Sequence, residues 1–279
     1  EMEMDGIGFF DTFQTVLSST PFMPVPGNHD VERDATTFEL FTNYESRFAM
    51  PQTRPAIKLS GTNSTPKESA LGWYGTYNYG NSFFSYSAGF VTFIHLNSYT
   101  NSTPGSPQYK FVSHTLQNID RSITPWVIVT AHCPFYSPYK LHKKEAQVLM
   151  TKQSLEPLFV EFRVNVVFSG HVHAYSRSKH VSMGKVDYNR TSPLYILNGD
   201  AGKNPLIVQE ASKKILQDAF NASNDAFDGE NYPFDSFDPE NNAFLVMDVL
   251  NATYIRLKRV LSTESKKGQI WEDVYLFNQ

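Results

Sequence analysis

The sequence predicts a layered α/β fold that finishes in antiparallel β structure. Short apolar runs alternate with stretches of helical period, the pattern of βαβ units. Three of those runs, 22–26, 126–129 and 164–168, lead into a small residue followed by Asn or His. The carboxyl ends of parallel strands share one crevice in such folds, so the three endings are expected to meet.

The elements follow in order. Phe9, Phe10, Phe13, Val16 and Leu17 recur at helical spacing and predict a helix over 6–19. Residues 22–26 read as a short strand, at an edge or a strand end because two of them are prolines. Residues 34–48 read as a helix with Phe38, Leu40, Phe41, Tyr44 and Phe48 as its apolar set, and 50–70 as a long surface loop. Strands at 82–87 and 90–96 turn through Gly89. A helix over 107–119, a strand over 126–130, a helix over 143–162 and strands over 164–168 and 194–198 complete the α/β part. An acidic, turn-rich loop is expected over 223–242, then consecutive strands over 243–250, 253–260 and 270–277.

The 279 residues are 41% apolar and 19% charged, which suits a globular core. We expect one domain over 1–279, with 243–279 as its antiparallel segment. A net charge of −4 with no long Lys/Arg block gives no reason to expect nucleic acid. No apolar run approaches the roughly 18 residues of a membrane span. Cys133 stands alone, so no intrachain disulfide forms. That alone would suggest a reducing compartment, but five Asn-x-Ser/Thr acceptors at Asn63, Asn101, Asn189, Asn221 and Asn251 favour the secretory route. The start, Glu1-Met2-Glu3-Met4, resembles no signal peptide and is expected to belong to a longer protein.

The chemistry concentrates in Gly27-Asn28-His29-Asp30, Thr130-Ala131-His132-Cys133-Pro134 and Gly170-His171-Val172-His173. Neutral imidazoles and an amide oxygen make a first-row metal site. Asn28, His132, His171 and His173 are the candidate ligands. His29 faces away from an ion on Asn28 and is better placed to hold a phosphate oxygen or a leaving group, with Asp30 fixing its tautomer. His142 is read either as a donor to substrate phosphate or as solvated surface. Cys133 reads as a small buried packing residue. The aromatic stretches 73–77 and 135–136 read as a cleft wall or as ordinary core.

Taken in order, these three motifs resemble the calcineurin-like metallophosphoesterases, and within them the purple acid phosphatases. Pro107-Gln108-Tyr109-Lys110 and the segment from Pro193 to Gly199-Asp200-Ala201-Gly202 are similar as well. The resemblance implies a β-sandwich flanked by helices, holding Fe(III) and a divalent partner (Zn, Mn or Fe). By the same resemblance Asn28, His132 and His171 match the divalent-site ligands, His173 matches the Fe(III)-site histidine, and His29 and His142 match substrate-binding histidines. The implied reaction is hydrolysis of phosphate monoesters, small-molecule or protein, at acidic pH in a secreted, lysosomal or vacuolar setting.

The family's Asp-x-Gly and Gly-Asp-x-x-Tyr motifs do not occur in the 26 residues before Gly27. We therefore expect that the first metal-binding strands are absent, that the chain as given holds at most one metal, weakly, with little activity, and that it is less stable than its parent. Two rival readings remain at this stage. One is a related phosphodiesterase, nucleotidase or sphingomyelinase-like enzyme, and the other a non-catalytic secreted glycoprotein on a degenerate phosphatase fold. The sequence leaves the oligomeric state open.

Overall fold

A computed structural model describes residues 2–37, 39–51, 73–74, 77–139, 141–202 and 234–278, without the side chains of 2–7. Residues 52–70 of the predicted loop 50–70, residues 223–233 of the predicted loop 223–242, and the acceptors Asn63 and Asn221 lie outside the described residues.

Two sheets form the centre. The larger begins with a hairpin, β1 (Phe84–Ala88) and β2 (Val91–His95), and continues in parallel through β3 (Trp126–Ala131), β4 (Val166–Ser169) and β7 (Leu194–Asn198). Three further strands, β5 (Tyr175–Ser182), β6 (Lys185–Val186) and β8 (Phe234–Asp238), complete it. β5 runs antiparallel to β7, and both β6 and β8 pair with β5. The smaller sheet is the antiparallel trio β9 (Ala243–Val249), β10 (Tyr254–Leu261) and β11 (Ile270–Phe277), as the tail pattern predicts.

Alternation along β3 explains the layers. Trp126 and Ile128 pack with Ile255, Leu257 and Leu276 of the small sheet. Val127 and Val129 pack with Val112, Leu116, Leu155 and Phe159. These last belong to α3 (Pro107–Gln117) and α4 (Ala146–Glu161) on the opposite face. Because side chains of a strand alternate between faces, a strand buried on both sides reads as an unbroken apolar run. α3 starts where Ser106 Oγ accepts the Tyr109 N–H and Pro107 needs no partner for its missing N–H.

The N-terminal quarter departs from expectation. The first helix, α1 (Met2–Leu17), is present, but 22–26 forms no strand. Pro24 and Pro26 have no N–H to give a ladder, and the Pro24 carbonyl instead accepts the Tyr44 hydroxyl. The helix predicted over 34–48 shrinks to α2 (Thr42–Arg47). Asp34 takes the N–H groups of Thr36 and Thr37 in a turn, and Phe41 has φ 61°, outside the helical basin. β5 and β8 were not expected from the sequence.

One cation is wholly enclosed. Arg259 of β10 is bonded to Asp200 and Asp238 and lies 4.7 Å from the Tyr175 ring and 4.9 Å from that of Trp271. It joins the small sheet to the segment after β7 and to β8. No helix among the described residues is long and apolar enough to cross a membrane.

Substitution Ile128→Ala, at a residue 0% exposed between the sheets, is expected to cost about 2–5 kcal/mol. Ile123→Ala, at 66% exposure, should stay within about 0.5 kcal/mol. Urea unfolding of both variants checks the pair.

Candidate metal centre

Register aligns the carboxyl ends of the parallel strands. Ala131 stands opposite Ser169, and Ser169 opposite Leu197, so His132 and Gly170 leave the sheet together. The Gly170 N–H donates to the His132 carbonyl at 3.0 Å. The chain then folds back twice, with Val172 N–H on Gly170 O at 2.8 Å and Ala174 N–H on Val172 O at 2.8 Å. These are three-residue turns, and they bury Val172 and Ala174 while His171 takes φ 70°.

This folded loop needs Gly199. A Cβ there would lie 2.0 Å from the Val172 carbonyl oxygen. Gly199 also donates its N–H to Ala174 O at 3.1 Å. Gly27 has a similar role on the other side, since a Cβ would meet the His132 ring at 3.0 Å. The Asp30 carboxylate takes the Gly27 N–H at 2.7 Å, closing the short turn of helix Asn28–Asp30. Asp30 was expected to fix the His29 tautomer; its carboxylate holds the Gly27 backbone instead.

Three of the candidate ligands converge. His132 Nε2 lies 2.9 Å from Asn28 Oδ1 and 3.1 Å from His171 Nδ1. Three donors about 2.1 Å from one ion and at right angles would stand about 3.0 Å apart. Both spacings from His132 fit donors that share one cation, and an amide oxygen with two imidazoles is chemically suited to a divalent transition metal. His173 and His29 lie close enough to His132 to lower its proton affinity. His29 is exposed and His173 half-buried.

His142 belongs to the cluster. Its ring centroid is 3.9 Å from that of His171, and its backbone, like that of His171, has positive φ, at 61°. The link between the two rings is Glu145, which sequence reading missed. One carboxylate oxygen accepts from His142 Nδ1, and the other lies 3.1 Å from His171 Nε2. A carboxylate on the remote nitrogen of a ligand histidine fixes the ring and its tautomer. The available signal was an acid three residues after His142 at the cap of α4.

Cys133, Glu145 and His171 also bring potential ligand atoms within 4.8 Å of one another. Burial pushes the Cys133 thiol up to about 12, and its S–H lies 3.4 Å from the Tyr99 hydroxyl. It keeps its proton at neutral pH, as a packing residue does. Trp73, Tyr77, Phe135 and Tyr136 are all buried, so the aromatic stretches are core rather than cleft wall; Gly75 and Thr76 lie outside the described residues.

The sequence profile of the calcineurin-like phosphoesterases matches residues 7–175. The chain belongs to that family. Among curated proteins it is 35% identical to "Probable purple acid phosphatase 20" of Arabidopsis thaliana, over 69% of this chain and 41% of that one. It is 33% identical to "Purple acid phosphatase 15" of the same plant, over 68% of this chain and 31% of the relative. It is also 30% identical to "Purple acid phosphatase 1" of Ipomoea batatas, over 69% and 38%. The phosphoesterase chain thus spans about a third to two fifths of the length of these relatives. A purple acid phosphatase from yellow lupin seeds shares the fold, with TM-score 0.53 and 17% identity over 70% of this chain and 32% of that one.

Burial first, and the neighbouring imidazoles of His171, His29, His142 and His173 after it, hold His132 down at about 3. His171 is lowered too, by burial and then by His142. The unfolded rings titrate near about 6.5, so below that pH the unfolded chain binds more protons than the folded one. The stability due to neutral rings is complete above about pH 6.5 and is lost as pH falls toward the folded values. Thermal melts of the metal-free chain should fall from about pH 6.5 to about pH 4, and His132→Asn should flatten that slope.

Gly199→Ala should force the His171–His173 loop outward. We expect about 1–3 kcal/mol of destabilisation and roughly 10–100-fold weaker divalent-metal binding, read by chemical unfolding and by calorimetric titration of Zn²⁺.

Proposed function

We propose that this chain is the catalytic portion of an acid phosphatase that hydrolyses phosphate monoesters with metal ions. The placing of Asn28 Oδ1 and His171 Nδ1 at 2.9 and 3.1 Å from His132 Nε2 carries the reading. These three residues would hold the divalent ion (Zn, Mn or Fe), and His173 would contribute to a neighbouring Fe(III). A cation at this position supplies Lewis-acid polarisation of a phosphoryl oxygen and eases deprotonation of water.

The remaining roles belong to the chain itself. Glu145 accepts from His142 Nδ1, which orients the ring and leaves Nε2 for a substrate oxygen. In its imidazolium form His142 donates there, to a phosphate oxygen or to the departing alkoxide. His29, exposed beside Asn28, is a second donor to the phosphate. Small molecules and phosphoproteins are both admissible as phosphate-ester substrates.

The described residues define one three-donor set and no bridging carboxylate, so the chain as given is expected to hold at most one metal ion, weakly, and to turn over slowly by itself. The exposed acceptors Asn189 and Asn251 support passage through the secretory route, and we place the protein there, secreted or in a lysosome or vacuole. The domain reading is likewise proposed as one unit over 1–279.

Turnover of p-nitrophenyl phosphate and of its bis-ester, measured at about pH 5 with Fe and Zn or Mn, tests the reading. Monoester hydrolysis above the uncatalysed rate, however slow, that is lost in His132→Ala and in His142→Ala supports it. Preference for the diester would favour a phosphodiesterase. Stoichiometric metal binding with no turnover of either ester would favour the binding-protein alternative.

A further inference from the structure

A second concentration of charge lies at the other end of the parallel strands. A cleft of about 810 Å³ opens where Trp126, Val166 and Leu194 begin β3, β4 and β7. That volume suits a small molecule. Arg121, Arg163, Arg177, Lys179 and Arg190 line it, although the whole chain carries a net −4. The opposing carboxylates are Glu161, Asp187 and Asp235.

Two of those three carboxylates are already engaged. Asp235 bonds Arg177 at 3.1 Å. Asp187 accepts the N–H groups of Asn189, Thr191 and Ser192 and the Thr191 hydroxyl, all within 3.0 Å. Arg121 spends its guanidinium on neutral oxygens, those of Pro125, Asn165, Phe162 and Arg163. It braces the wall but keeps its charge. Among the described residues, Arg163, Lys179 and Arg190 have no carboxylate partner.

The backbone provides an independent sign. Arg163 ends α4 in a glycine-type cap, with Val164 N–H on Phe159 O at 2.9 Å and Arg163 N–H on Val160 O at 3.2 Å. This position favours glycine because φ is positive; here φ is 52° and the residue is arginine. Arg190 repeats the pattern at φ 60°, in the loop that Asp187 braces. Non-glycine residues in this region concentrate at functional sites; among the described residues the others are His142 and His171 of the metal centre, together with Phe41 and Met183. Two arginines at such positions, both lining one cleft, point to a role for the side chain.

We propose that this cleft binds a multiply charged small anion, a polyphosphate or a polycarboxylate, at a site separate from the histidine cluster. Arg163 and Arg190 grip it through planar guanidinium groups suited to phosphate and carboxylate, and Lys179 adds a point charge. Metal is not required.

Pyrophosphate and citrate are titrated calorimetrically into the whole chain, stripped of metal and dialysed, near pH 7 in physiological salt. Saturable binding that weakens tenfold or more in Arg190→Ala and Arg163→Gly, and is unchanged in His132→Ala, supports the site. Arg163→Gly should melt no lower than the parent, since glycine suits its backbone, so a loss of binding there reports the side chain. Binding of pyrophosphate alone assigns a phosphorylated ligand; comparable citrate binding assigns a polycarboxylate. The proposal is overturned if neither anion binds at millimolar concentration, if both arginine variants bind normally, or if His132→Ala abolishes the heat.

Discussion

Parallel pairing of β3 with β4 and of β4 with β7 is the constraint on which the rest depends. It places Ala131, Ser169 and Leu197 at one level, so three chains leave the sheet side by side. A slip of one residue would turn every apolar side chain of a strand to the wrong layer. Because β3 and β4 are buried on both faces, that slip is forbidden twice over. Precision in the crevice is inherited from burial far below it, and the polar residues at the rim need only short, turn-rich connections. Gly199 shows how close those connections run: the loop bearing His171 and His173 rests on its bare Cα.

Within the crevice a single carboxylate organises two rings. Glu145 divides its oxygens between His142 and His171, and Gln147 Nε2 donates to it at 2.6 Å. The proposed substrate-binding histidine and a proposed metal-binding histidine are therefore oriented by the same group. Whatever displaces one ring acts on the other through a side chain that touches both. The left-handed backbones of His142 and His171 are consistent with rings held where the site needs them.

The strands behind the site were legible because burial on two faces leaves unbroken apolar runs, as in Val127-Ile128-Val129. β5 was not legible. Its residues Tyr175-Ser176-Arg177-Ser178 alternate aromatic, cationic and hydroxyl groups. Ser176 and Ser178 are nevertheless 0% exposed, and Arg177 is bound by Glu272 and Asp235. Ser178 Oγ accepts the Tyr195 N–H of β7 and the carboxylates on Arg177 come from β8 and β11, partners that no local pattern announces. The aromatic spacing of 34–48 misled for the converse reason, since Phe41 and Tyr44 pack on Tyr77 from the start of the short helix α2 rather than from a long one. The histidines and Asn28 were visible from type and context, whereas Glu145 becomes visible only when His142 and His171 are seen 3.9 Å apart.

Arg259 gives the molecule a further property. Its charge is removed from water by Asp200, Asp238, Tyr175 and Trp271, which come from four separate parts of the chain. A guanidinium buried with only some of these in place would suffer the loss of hydration without full compensation. Half-docked arrangements of the small sheet on the large one are therefore worse than either extreme. The buried cation makes the joining of the two sheets all-or-none, so that the layers unfold as one cooperative unit instead of peeling apart.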